Sequence, residues 1–269
     1  MRRPLTISLG LLGLLILYLL FWPVRHPFAR WQAPEAPDLS AGPYQVNELL
    51  LSAERFSTLP FGEGPEDVAL DTNGLIYGGL SNGIILRYDA DGNNPSVFAD
   101  TKGRPLGLHF DTEMNLIVAD AQKGLLSINQ QGEISVLSSS LEDYSYYFTD
   151  DLDIAANGTI YFSDASSIAS AHDYKEDLMV HCPCGKLLAY NPNSQQTTLL
   201  ADSLYFANGI AVSPDQHFVL VNETSRYRVL KYWLMGPKQG SYEVLIDNLP
   251  GLGNKTSSVG LRGLAMAIQ

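Results

Sequence analysis

The stretch "GPEDVALDTNGLIYGG", residues 64–79, decides the fold. A short apolar run at 68–70 is followed by a polar turn at 71–74 and then by a second apolar run. Two apolar runs joined by an Asx and Gly turn predict a β-hairpin. The acidic pair Glu66-Asp67 lies directly before the first run, so two carboxylates stand where an apolar strand begins.

The same phrase recurs three more times along the chain. It reads "GRPLGLHFDTEMNLIVAD" from residue 103, "FTDDLDIAANGTIYFSD" from 148 and "FANGIAVSPDQHFVLVNE" from 206. Each unit continues with two more apolar runs, which are "GIILRYD" and "PSVFAD" in the first unit. Four short strands in a unit that repeats about every 40 residues are typical of a β-propeller blade. The sequence therefore predicts an all-β fold, a β-propeller with about four blades over residues 46–251.

Equivalent positions of the blades are expected to meet at one mouth of the propeller, because the innermost strands surround a central channel. Alignment of the units on their turns gives one such position per blade, each eight residues before the matching turn residue. These positions are Glu66, Leu106, Asp150 and Asn208, before the turn residues Gly74, Met114, Gly158 and Gln216. A fifth unit would place Asn254 in the same position.

These residue types predict a calcium site at the mouth. Carboxylate and amide oxygens are the hard ligands that Ca²⁺ takes in sets of six to eight. Glu66, Asp150, Asn208 and Asn254 would supply them. Histidine and cysteine are absent from these positions, which disfavours zinc. The alternative is that the four side chains cap strands or bind backbone amides at the rim.

Composition and cysteine content narrow the function classes. The 269 residues include 17 Lys and Arg against 29 Asp and Glu, a net charge of −12. An acidic chain argues against a nucleic-acid partner, whereas it is compatible with cation binding and with simple solubility.

The sequence contains two cysteines, Cys182 and Cys184, which follow His181. They are interpreted as free thiols or a local bridge, with a zinc site as the alternative.

The amino terminus predicts a membrane anchor. Residues 5–24 contain no charge, and a helix of this length spans about 30 Å, the apolar thickness of a bilayer. We therefore predict a transmembrane signal anchor at 1–30 and a linker at 31–45, with a cleaved signal peptide as the alternative. The leading arginines favour a cytosolic amino end, which would place the propeller on the periplasmic, lumenal or extracellular side.

Several phrases carry a resemblance to a known family. They include "GPEDVA", "GRPLGLHFD", "LIVADAQKGLLSI", "DIAANGTIYFSDASS", "FANGIAVSPD" and "VLVNETSRYRVLKYWLMGPKQG". The chain resembles the strictosidine synthase-like branch of six-bladed calcium β-propellers, which includes the adipocyte plasma membrane-associated proteins. More distantly it is similar to gluconolactonases and paraoxonases. The resemblance implies a catalytic calcium held by Glu66, Asp150, Asn208 and a fifth-blade ligand, and hydrolysis of small-molecule esters or lactones.

The chain also departs from the family pattern. Asp150 stands where gluconolactonase-like members have Asn, and Gly253-Asn254-Lys255 replaces a stretch whose Asp is a proposed base or nucleophile. The general base is therefore unassigned, with Asp150 and Asp151 as candidates. The insertion at 166–180, which contains "HDYKEDLM", is expected to form a loop over the mouth.

The family pattern stops after residue 251, and the tail at 252–269 diverges from it. We therefore expect a chain with four of the six blades, either truncated or closed by oligomerisation. Open blade edges favour self-association. The alternatives to a hydrolase are a non-catalytic binding propeller and an inactive fragment. Strictosidine synthesis itself is not expected, because the resemblance implies a catalytic glutamate in the last third of the fold, and this glutamate has no counterpart in the sequence.

Overall fold

The amino-terminal apolar segment forms helix α1, Arg3–Phe21. The computed structural model describes residues 3–22, 28–48, 51–53, 55–257 and 265–268. Helix α1 has 19 residues. Among the described residues no helix is both long and apolar enough to cross a membrane, in contrast to the transmembrane helix predicted at residues 5–24.

Each repeated phrase folds into a four-stranded antiparallel sheet whose strands follow chain order. The first sheet contains β1 Val68–Leu70, β2 Ile76–Gly79, β3 Ile84–Tyr88 and β4 Ser96–Asp100. The second contains β5 Pro105–Phe110, β6 Leu116–Asp120, β7 Gly124–Ile128 and β8 Ile134–Ser138. A small hairpin of β9 Ser140–Leu141 and β10 Tyr144–Ser145 leads to the third.

The third sheet holds the insertion predicted at 166–180. Its strands are β11 Thr149–Ile154, β12 Ile160–Asp164, β13 Gly185–Asn191 and β14 Gln196–Leu204, with helix α2 Tyr174–Val180 between β12 and β13. The fourth sheet contains β15 Ala207–Val212, β16 Phe218–Glu223, β17 Arg228–Trp233 and β18 Tyr242–Ile246. A two-stranded sheet of β19 Gly253–Ser257 and β20 Ala265–Ile268 follows.

The turn between the first two strands of each blade has the same backbone geometry. Gly74, Met114, Gly158 and Gln216 have φ angles of 81°, 65°, 83° and 62°. In the first two blades an aspartate at the start of the turn stabilises this geometry, since Asp71 Oδ1 and Asp111 Oδ1 each accept two backbone N–H groups. The same left-handed residue thus recurs at the position on which the repeats align.

The blades pack face to face around the innermost strands. β1 contacts β5, β5 contacts β11, β11 contacts β15, and β15 contacts β19. Each pair of neighbouring blades encloses an apolar cluster, for example Leu108 with Tyr77 and Leu152 with Ile117. The hydrophobic core is therefore divided among the interfaces between blades, as the repeat predicts.

The innermost strand of the first blade differs from its equivalents. Val68 is 58% exposed, whereas Leu108, Leu152 and Ile210 at the same position are 5%, 4% and 1% exposed. The three buried residues each face a preceding blade, whereas Val68 presents its side chain to solvent. One apolar face of β1 is therefore open in this chain.

Candidate metal centre and active-site cavity

A cavity of about 370 Å³ opens where the innermost strands begin. All four blades and β19 contribute to its lining with one residue at the equivalent position. These residues are Glu66, Leu106, Asp150, Asn208 and Asn254. The structure thus brings the four predicted metal ligands to one cavity. The rest of the wall is largely apolar, with Phe148, Leu178, Phe206 and Leu252.

Three buried oxygens at this mouth lack a hydrogen-bond donor. They are Asp150 Oδ1, Asn208 Oδ1 and Asn254 Oδ1, and no donor among the described residues reaches them. A buried polar atom without a partner costs about 1–3 kcal/mol, so three of them in one site call for an explanation. Oxygen atoms from one carboxylate and two amides fit a calcium ion, because Ca²⁺ binds such oxygens readily.

Glu66 is paired with an arginine that the sequence interpretation missed. Arg104 Nη2 lies 3.5 Å from Glu66 Oε2, and Arg104 Nη1 donates to the Gly64 carbonyl oxygen at 2.8 Å. Arg104 comes two residues before Leu106, so the sequence alone places it near the mouth of the propeller. Its reach across to the first blade depends on the packing of the two blades.

Asp150 carries a strongly perturbed carboxyl group. Burial raises the pKa of Asp150 well above its usual range, and the nearby charge of Glu66 adds to this effect. Lys255 and Arg104 act in the opposite direction without cancelling it. A cation bound beside Asp150 would favour the ionised carboxyl and so oppose this rise in its pKa.

Asp151, the other candidate base, does not line this cavity. Its carboxylate is instead hydrogen-bonded to neighbouring strands. Its Oδ1 atom lies 2.7 Å from Lys255 Nζ, and its Oδ2 atom accepts the Ile210 N–H at 2.8 Å. Burial raises the pKa of Asp151 to about 6, although Lys255 lowers it. Burial alone would lower the pKa of Lys255. The carboxylates of Asp151, Asp67, Asp150 and Glu66 together outweigh burial and raise this pKa, so the ammonium stays charged.

The insertion covers part of the mouth with α2. Tyr174 and Leu178 line the cavity, while His172 is exposed. Ser166 Oγ donates to Asp177 Oδ2 at 2.6 Å and so ties the start of the insertion to the helix. Burial raises the pKa of Asp177 to about 6.

The cysteine pair is a disulfide between Cys182 and Cys184, so the local bridge among the open alternatives is the one observed. His181 stacks on Trp31, with ring centroids 4.5 Å apart.

Within the described part of the chain, no three His, Cys, Asp or Glu side chains are grouped so that they could hold a metal ion. A calcium site at the mouth therefore stays a prediction that rests on two carboxylates and two amides.

Two family sequence models match the chain. One described as Strictosidine synthase matches residues 150–237, and one described as Strictosidine synthase-like, N-terminal matches residues 42–88. Protein STRICTOSIDINE SYNTHASE-LIKE 6 of Arabidopsis thaliana is 34% identical over 86% of this chain. The chain spans 62% of the length of that relative and 57% of Protein STRICTOSIDINE SYNTHASE-LIKE 4.

Solved structures resemble the fold at low sequence identity. A gluconolactonase from Xanthomonas campestris has a TM-score of 0.60 and 17% identity, covering 73% of this chain and 67% of that one. Regucalcin from Agrobacterium tumefaciens, a calcium-binding protein, has a TM-score of 0.57 and 14% identity, covering 76% and 67%. These likenesses support the propeller architecture.

The adipocyte plasma membrane-associated protein of Salmo salar is 32% identical over 289 residues, which cover 98% of this chain and 68% of that protein. Two family models and this relative point to one group of propellers. The chain therefore belongs to the strictosidine synthase-like family.

Proposed function

We propose that the chain is a calcium-dependent hydrolase of small esters or lactones that acts in the mouth cavity. The observation that carries the proposal is the set of three buried oxygens without donors, on Asp150, Asn208 and Asn254. With Glu66 they form an oxygen set of the kind that Ca²⁺ takes. The names of two structural neighbours, a gluconolactonase and a calcium-binding protein, agree with it.

The cavity walls suit a substrate with one apolar part. Leu106, Phe148 and Phe206 offer apolar surface beside the polar oxygens, and α2 narrows the entrance. A bound calcium ion would polarise the ester or lactone carbonyl. Arg104 holds Glu66 in place, and Asp150, whose side chain lines the cavity, is the candidate to take a proton from an attacking water.

A binding propeller without catalysis is the second candidate. It is favoured by the engagement of Asp151, which is bonded to Lys255 and to the Ile210 N–H and so is not free to act as a base. In that case calcium would bind a ligand in the cavity, or it would stabilise the ends of the innermost strands, and no reaction would be catalysed.

Calcium titration of the full chain by calorimetry tests the proposal. We expect saturable binding that weakens at least about tenfold, or about 1.4 kcal/mol, in Glu66→Gln, because the variant loses a charged ligand. Glu63→Gln is the matched control, since this exposed carboxylate lies three residues earlier and outside the cavity lining. Equal affinities in the two variants would refute the calcium site.

A hydrolysis assay then separates the two candidates. We expect the wild-type chain to cleave an aryl ester or a small lactone in calcium and to lose this activity in chelator. Calcium binding without turnover of either substrate class would favour the binding propeller.

We also propose that α1 attaches the chain to a membrane. Apolar side chains are exposed from Ile7 to the end of the helix, among them Leu9, Leu12, Ile16 and Leu19. Exposed apolar surface of this extent favours a lipid environment. Flotation with phospholipid vesicles is expected for the full chain and is expected to be lost in a Leu12→Lys, Leu19→Lys variant. Flotation of both proteins would contradict attachment through α1.

A further inference from the structure

A second layer of residues lies one position further along the innermost strands. In blade order its members are Asp67, Gly107, Asp151, Gly209 and Lys255. Leu108 N–H donates to Asp67 Oδ2, and Ile210 N–H donates to Asp151 Oδ2, each at 2.8 Å. Each carboxylate thus binds the strand of the following blade. A Cβ atom on Gly107 would lie only 2.8 Å from Asp151 Oδ1, so the glycine leaves room for the carboxylate.

Lys255 places its ammonium between the carboxylates of this layer. Its Nζ atom lies 2.7 Å from Asp151 Oδ1 and 3.9 Å from Asp67 Oδ2, and its side chain is 14% exposed. The two carboxylates belong to the first and third blades, whereas Lys255 lies on β19. One ammonium therefore bridges three separate parts of the propeller at the channel.

One divalent cation would balance the net charge of the two layers. The four carboxylates Glu66, Asp67, Asp150 and Asp151 face two cationic side chains, Arg104 and Lys255. The formal excess is two negative charges, which one Ca²⁺ ion neutralises. Without Lys255 the excess would be three, and no other cationic side chain of the described residues forms an ion pair with Asp67 or Asp151.

Building on the proposed calcium site, we propose that Lys255 is the residue that limits the channel to one divalent cation. Its ammonium takes the place of a second cation between Asp67 and Asp151, so calcium is confined to the outer layer. The reason is electrostatic, since a buried ammonium at hydrogen-bond distance repels a second cation and satisfies the carboxylate that would bind it. Lys255 is in this view a positioning residue that sets the number of ions bound.

The test compares the full chain with Lys255→Met, a variant of similar side-chain length without the charge. Calcium binding is followed by calorimetry and by the rise in Tm when calcium replaces chelator. We expect Lys255→Met to bind one more calcium ion per chain than the wild type and to gain at least twice as much in Tm. Lys255→Arg keeps the charge and is expected to match the wild type. A double variant with Asp151→Asn removes the inner ligand and is expected to lose the extra ion.

The outcomes separate this inference from the proposed function. Equal calcium stoichiometry in the wild type and Lys255→Met would overturn the role of Lys255. If the wild type binds no calcium while Lys255→Met binds one ion, the outer site fails and the role of Lys255 stands. If Lys255→Met folds only in millimolar calcium, that dependence supports the inference, because the metal then replaces the ammonium. A variant that stays unfolded in calcium would overturn it.

Discussion

Substitution of Asp177 is expected to change how the stability of the protein depends on pH. Asp177 lies on α2 at the cavity mouth, its side chain is buried, and it accepts one hydrogen bond from Ser166. Burial raises its pKa to about 6, compared with about 3.9 for an aspartate in an unfolded chain. The folded protein therefore holds a proton on this group more tightly than the unfolded chain does.

The sign of the effect follows from proton linkage. A raised folded-state pKa adds stability that is fully present below about pH 3.9 and is lost as the pH rises through about 6. A shift of about two units corresponds to about 3 kcal/mol at 1.36 kcal/mol per unit. Asp177→Asn removes the charge and keeps an oxygen for Ser166 Oγ. We therefore expect the variant to be more stable than the wild type by about 1–3 kcal/mol at pH 7.5 and equally stable near pH 4.

The assay is denaturant unfolding of both proteins, followed by tryptophan fluorescence at several pH values between 4 and 8. The difference between variant and wild type cancels the titration of groups that both share. Asp173→Asn is the control, because Asp173 lies in the same insertion but is exposed. A stability difference for Asp177→Asn that is the same at every pH would refute the reasoning.

Two further predictions concern packing and the mouth. Leu108→Ala is expected to lower the free energy of unfolding by about 2–5 kcal/mol, because Leu108 is buried between blades. Val68 is exposed at the equivalent position of the first blade, so Val68→Ala is expected to lower it by about 0.5 kcal/mol or less. Denaturant unfolding measures both, and equal losses would show that β1 is covered in solution. Asn208→Leu removes a buried oxygen without a donor, so we expect a gain of about 1–2 kcal/mol in chelator together with weaker calcium binding. A loss of stability in chelator would indicate that Asn208 has a partner.

Much of the architecture was predictable because it is encoded by residues close together in the chain. The repeated phrase, with apolar runs and a left-handed turn residue, predicts one blade at a time. Alignment on the turns also identified the positions of Asp150, Asn208 and Asn254, which the structure brings to one cavity. Repetition makes this possible, since equivalent positions in units of the same fold converge around the propeller axis.

The sequence by itself determined the propeller class, the blade positions at the mouth and the insertion above it, because periodicity and turn chemistry act locally. Tertiary structure decided which of two adjacent aspartates faces the cavity and which is bound by Lys255. It also decided that Arg104 reaches Glu66 on the preceding blade. These contacts join residues 38 and 104 positions apart, and only the packing of blades brings such side chains within a few ångströms.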